Sequence, residues 1–91
     1  SSIIDAVARY FDLKAADFKS KNRSREVSYP RQIAMYLCRD MTDLSLPKIG
    51  VVFGGRDHTT VMHACDKINE ERQTNPDTRR TVEELKKNIA G

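Results

Sequence analysis

The sequence predicts an all-α domain, a small bundle of about six helices that contains a helix-turn-helix. Three observations lead there. Apolar residues recur at helical spacing along most of the chain, and no stretch alternates as a strand would. Pro, Gly and short polar residues stand where helices should start and stop. Ninety-one residues, 38% hydrophobic and 32% charged, suit one modest core, so a single domain spans 1–91.

The elements follow in order. Ile3, Ile4, Val7, Ala8 and Phe11 mark one face of a first helix, with Ser1 or Ser2 available to cap it. Ala15 to Lys19 reads as a short helical turn, with Leu13 and Phe18 pointing inward. The segment from about 20 to 28 is polar, basic and without period, so it reads as a loop. A helix is expected after Tyr29-Pro30-Arg31, with Pro30 in its first turn. Its run Ile33 to Cys38 is apolar throughout, which makes it central, and it should end near Thr42-Asp43. A short helix from Ser45 or Leu46 to Phe53 puts Ile49, Val52 and Phe53 inside, and Gly54-Gly55 stops it. A longer helix runs from Asp57 to about Thr74, Asn75-Pro76-Asp77 breaks the chain, and a last helix carries Val82, Leu85 and Ile89.

Composition excludes several classes. No apolar run reaches the roughly 20 residues needed to span a bilayer. Ser1-Ser2-Ile3-Ile4-Asp5 has neither a basic nor an apolar leader region, so no secretory signal is read there. The absence of a starting Met suggests a piece of a longer protein. Cys38 and Cys65 lie in apolar helical patterns without CxxC spacing, which predicts buried thiols and a reducing, cytoplasmic setting. The formal net charge is only +3, but Lys14 to Arg31 holds six basic residues against two acidic ones. Such clustering is the footprint of a polyanion binder, although a solvated surface loop would look alike.

The chemistry concentrates around Gly54-Gly55-Arg56. A short helix, a glycine turn and a longer helix form the helix-turn-helix pattern, spanning about 45–74. In that arrangement the first turn of the second helix meets base edges in the major groove. At about 100° per residue, Val61, Ala64, Cys65 and Ile68 cluster on one side while Thr59 and His63 point nearly opposite. Asp57, His58, Thr59 and Thr60 therefore crowd one exposed tip. Asp accepts from a cytosine amino group, Thr offers a hydroxyl or a methyl, and His does either. Asp57 also suits the helix cap, a purely structural use of the same residue. Asp66, Glu70 and Glu71 make the far end of the helix acidic, so the N-terminal tip should be the docking end.

The stretch Gly50-Val51-Val52-Phe53-Gly54-Gly55-Arg56-Asp57-His58-Thr59-Thr60-Val61-Met62-His63-Ala64-Cys65-Asp66-Lys67-Ile68 resembles the signature of the DnaA initiator family. Pro30-Arg31-Gln32-Ile33-Ala34-Met35-Tyr36-Leu37 and Leu44-Ser45-Leu46-Pro47-Lys48-Ile49-Gly50 are similar to family segments in the same order. The resemblance implies a Trp-repressor-like helical fold that binds double-stranded DNA at origin DnaA boxes, with a consensus near TTATCCACA. It implies base reading by Asp57, His58, Thr59 and Thr60, thymine-methyl contact by Leu46 and Pro47, and minor-groove entry by Arg23. A narrow A·T-rich minor groove attracts arginine, which gives that last role its own physical reason. Phosphate contacts are implied at Lys21, Arg25, Arg31, Gln32, Arg39, Ser45, Arg56 and Lys67, setting register without reading sequence. Asn22 and Asp66 depart from the basic residues common there, which would weaken affinity and leave base reading intact.

Other chemistries fit poorly. His58 and His63 diverge by about 140° on a helix, so they do not converge on a metal. Adjacent Asp57, His58 and Thr59 cannot form a nucleophile relay. No phosphate-cradling GxxxxGK[ST] loop is present, so no enzyme activity and no cofactor are expected in this chain. A helical protein-interaction module is the rival reading, and regulatory protein partners are compatible with either. Ordinary helix-turn-helix factors dimerise on palindromes, whereas no dimer seam is evident here, so a monomer on an asymmetric site is expected.

Overall fold

A computed structural model describes residues 2–91 of the chain, with only the backbone at residue 2. The described residues form five α-helices and one short 3-10 turn, without a strand. The helices are α1 (Ser2–Tyr10), α2 (Arg25–Met41), α3 (Leu46–Val52), α4 (His58–Thr74) and α5 (Pro76–Ala90), and the 3-10 turn is Ala15–Lys19. The cap expected from Ser1 or Ser2 lies outside the described residues and side chains.

α2 packs against every other element, as its unbroken apolar run requires. Ile33, Ala34, Leu37 and Cys38 are buried in a cluster with Ile4, Val7, Phe18, Ile49, Phe53, Val61, Ile68 and Leu85. The two fully buried rings, Phe18 and Phe53, bring the 3-10 turn and the end of α3 into the same core. Both thiols are free and buried, and Cys65 Sγ lies 3.6 Å from the Met35 carbonyl.

One boundary differs from expectation. α2 begins at Arg25, not after Tyr29, so the basic loop is shorter than 20–28 and Pro30 sits inside the helix. The Ser24 carbonyl accepts from the Val27 N–H at 3.0 Å and the Ser28 N–H at 2.7 Å, which starts the helix. Val27 and Pro30 are buried one turn apart, and Glu26 stands in the first turn, where the helix dipole favours an acid. A proline inside a helix costs about 3 kcal/mol through its missing N–H and its ring clash. Burial of the ring and of Val27 offsets part of that cost. A single apolar residue between Ser20 and Ser28 was too little signal to reveal this turn.

The helix-turn-helix depends on three glycines. Gly54 and Gly55 hold φ of +86° and +84°, a backbone region that glycine enters without steric cost. Their N–H groups, with that of Arg56, donate to the Val51 and Gly50 carbonyls and close the end of α3. A Cβ on Gly50 would fall 2.0 Å from the Arg56 carbonyl oxygen, so only glycine lets α3 and the turn touch.

Candidate nucleic-acid interface

The tip of α4 is built from its own cap. Asp57 has extended backbone, and its Oδ1 accepts from the Thr59 N–H at 3.0 Å, satisfying a donor that the helix leaves unpaired. The same oxygen accepts from the Thr59 hydroxyl at 3.1 Å and lies 3.1 Å from His58 Nδ1. These hydrogen bonds from Thr59 hold the Asp57 carboxyl below its ordinary range. All three contacts fall on Oδ1 and none uses Oδ2. Asp57 therefore caps the helix and orients its two neighbours together. Asp57, His58, Thr59 and Thr60 are all exposed, while Val61, Ala64, Cys65 and Ile68 hold the opposite side of α4 in the core.

The basic loop lies beside this tip. A cleft of about 520 Å³ runs between them, lined by Lys19, Lys21, Arg23, Arg31, Gly54, Gly55, Arg56 and Thr60. It carries five cationic side chains and no acidic one. The sequence placed Arg23 and Thr60 in separate roles, and the fold puts them on one cleft. Lys19 belongs there too, although nothing local in the sequence ties the 3-10 turn to the glycine turn.

A second cleft, about 260 Å³, lies between α2 and α4 and is lined by Ser28, Arg31, Gln32, Met35, Arg56, Thr60, His63, Ala64 and Lys67. It brings together four of the residues implied at phosphate: Arg31, Gln32, Arg56 and Lys67. On the other flank of α4, Leu46 and Arg39 line a cleft with Met62 and Asp66, where charge is mixed. Ser45 caps α3 by accepting from the Lys48 N–H at 3.4 Å, and Pro47 is exposed in its first turn. Lys21 and Arg25 are exposed, and the Arg25 guanidinium lies 4.7 Å from the centre of the Tyr29 ring.

Two of these arginines are engaged within the protein. Arg31 is 7% exposed and donates to the Ser20 carbonyl at 3.4 Å and the Asn22 carbonyl at 2.9 Å. Arg56 donates to the carbonyls of Phe53 and Ser20. Burial lowers the proton affinity of both, and Arg56 lowers that of Arg31 further. Asn22 shapes the loop. Its N–H donates to Ser20 Oγ at 3.3 Å, and its Oδ1 accepts from the Ser24 N–H at 2.8 Å.

Among the described residues no group of three or more His, Cys, Asp or Glu could hold a metal ion. No described helix is long and apolar enough to cross a membrane.

Residues 1–68 match the family described as "Bacterial dnaA protein helix-turn-helix". The chain is 55% identical over 85 residues to the chromosomal replication initiator protein DnaA of Symbiobacterium thermophilum, covering 93% of this chain and 19% of that protein. It is 53% identical over 89 residues to the protein of the same name from Caldanaerobacter subterraneus subsp. tengcongensis, covering 98% of this chain and 20% of that protein. A solved structure titled as that of a DNA replication initiation factor aligns with a TM-score of 0.85 at 38% identity, over 96% of this chain and 26% of the other. The chain thus corresponds to a part of each of these longer proteins.

Proposed function

The chain belongs to the bacterial DnaA helix-turn-helix family, and from that premise we propose that it binds double-stranded DNA sequence-specifically, as the box-reading module of a replication initiator. The matched region is a helix-turn-helix, a binding architecture, and the chain is not an enzyme. The target is the asymmetric DnaA box, with a consensus near TTATCCACA. In this reading Asp57, His58, Thr59 and Thr60 enter the major groove, and Leu46 and Pro47 meet thymine methyls. Arg23 enters the neighbouring minor groove, where a narrow A·T-rich stretch concentrates negative potential. Lys21, Arg25, Gln32, Arg39, Ser45 and Lys67 contact phosphate, and Arg31 and Arg56 add positive charge to the clefts beside them. One protomer occupies one box, and neither metal nor nucleotide takes part.

The observation that carries this reading is the exposed, self-capped tip of α4 beside a cleft lined by five cations and no acid. A polar tip next to unopposed positive charge is what a base-reading helix flanked by phosphate requires.

The test is an anisotropy titration with a consensus duplex, a duplex changed at one base pair, and a scramble, each at two salt concentrations. The consensus should bind tightest, and all three should weaken steeply as salt rises through counterion release. Equal affinity for consensus and scramble would refute sequence reading. Affinity insensitive to salt would refute the phosphate contacts and favour a protein-interaction module.

A further inference from the structure

Residues 21–24 are exposed throughout, so apolar packing does not hold the basic loop in place. Polar contacts hold it. The Ser20 carbonyl accepts from two guanidinium groups on different elements, Arg31 of α2 and Arg56 of the glycine turn. Arg31 also takes the Asn22 carbonyl, one residue before Arg23, and Arg56 also takes the Phe53 carbonyl at the end of α3. Gly54 lets the turn approach the root of the loop, since a Cβ there would lie 2.6 Å from the Lys19 carbonyl oxygen. Arg56 immediately precedes Asp57, the cap of α4. The loop that carries Arg23 and the tip of α4 are thereby joined through one bracket of two arginines and three carbonyls.

We infer that Arg31 and Arg56 are positioning residues that set the distance between Arg23 and the α4 tip, coupling minor-groove to major-groove reading, and that they do not act chiefly as phosphate contacts. The inference rests on the DNA-reading proposal above. Its chemical basis is the planar guanidinium fork, which spans two carbonyls at once where a lysine ammonium is a single point of charge. Lysine keeps the point charge that a single phosphate contact needs, whereas it cannot span the two carbonyls of the bracket.

The experiment compares wild type, Arg56→Lys, Arg31→Lys, Arg23→Ala and the two double variants, on the consensus duplex and on one altered at its A·T-rich end. Arg56→Lys should lose roughly tenfold or more on the consensus duplex, the scale of one lost base-reading contact. It should discriminate less at the A·T-rich end, and in the Arg23→Ala background it should lose almost nothing further. Arg31→Lys should behave alike, which keeps the question open to decision if Arg56→Lys fails to fold. In the free protein, amide exchange over residues 21–24 should quicken in both variants while that of α4 is unchanged. Full retention of affinity by the lysine variants, or an equal loss with and without Arg23, would make both arginines ordinary phosphate contacts and overturn the inference. Failure of the wild type to prefer consensus over scramble would instead overturn the DNA-reading proposal. The exchange measurement would still decide whether the bracket holds the loop, and unchanged exchange would remove it.

Discussion

At the scale of single residues, Asp57 caps α4 and holds the Thr59 hydroxyl, so the tip proposed to read DNA is also part of the fold. Hydrogen bonds from the Thr59 N–H and hydroxyl hold the Asp57 carboxyl below the usual carboxylate range. A group with a lowered folded pKa stabilises the fold above its unfolded value and loses that contribution as pH falls through the folded one. Protection of the Thr59 amide should therefore hold at neutral pH and be lost in acid as the carboxyl protonates, as NMR exchange would show. Asp57→Asn should remove that dependence. Thr59→Ala is expected to cost about 1–3 kcal/mol on a consensus duplex and to blur preference at one base pair. Arg39→Ala should weaken consensus and scramble alike and reduce the salt slope by about one unit. A selective Arg39→Ala, or a uniform Thr59→Ala, in the same titrations would break the division between reading and anchoring residues.

At the scale of elements, the glycine turn decides where α4 points. Gly50→Ala forces a Cβ to 2.0 Å from the Arg56 carbonyl oxygen, so α3 and the turn must separate. Thermal unfolding should show a large loss of stability for this variant, or no folding at all. Gly55→Ala meets nothing within 4 Å and carries only the strain of its positive φ, roughly 1–2 kcal/mol. Gly54→Ala should fall between, because its Cβ also strikes the root of the basic loop. A Gly50→Ala protein as stable as the Gly55→Ala one would show that α3 and the turn have room to spare. The first turn of α2 teaches a different lesson. Ser24, Glu26 and the pair Val27 and Pro30 start that helix inside what composition marks only as basic loop. Five residues with one apolar side chain carry too little period to be read as helix.

At the scale of the whole molecule, α2 gathers every element and both thiols lie in the core it organises. Burial pushes Cys38 and Cys65 up to about 11. The thiolate is the reactive form, so at about pH 8 the folded protein should resist a disulfide reagent. Denaturant should release two equivalents at once, and rapid reaction of either thiol in the folded state would contradict its placement. Beyond the core, Lys86 of α5 meets Asp40 of α2 at 2.7 Å, and the Tyr10 hydroxyl of α1 donates to Glu84 of α5 at 2.9 Å. Partly exposed contacts of this kind contribute little stability, and the helices are held chiefly by apolar burial.

The amino-acid order alone determined the helical class, the inner faces, the glycine turn and the exposed tip at Asp57, because helical period and cap chemistry are local properties. The residues Asp57 to Thr60 and the basic segment were legible as a candidate site for the same reason. Only the tertiary structure decided that Arg23, Thr60 and Lys19 share one cleft, and that Arg31 and Arg56 turn inward onto the loop. Those facts depend on carbonyls brought near by packing across α2, α3 and the 3-10 turn. A guanidinium favours solvent, and it turns inward only where the fold brings carbonyls within reach.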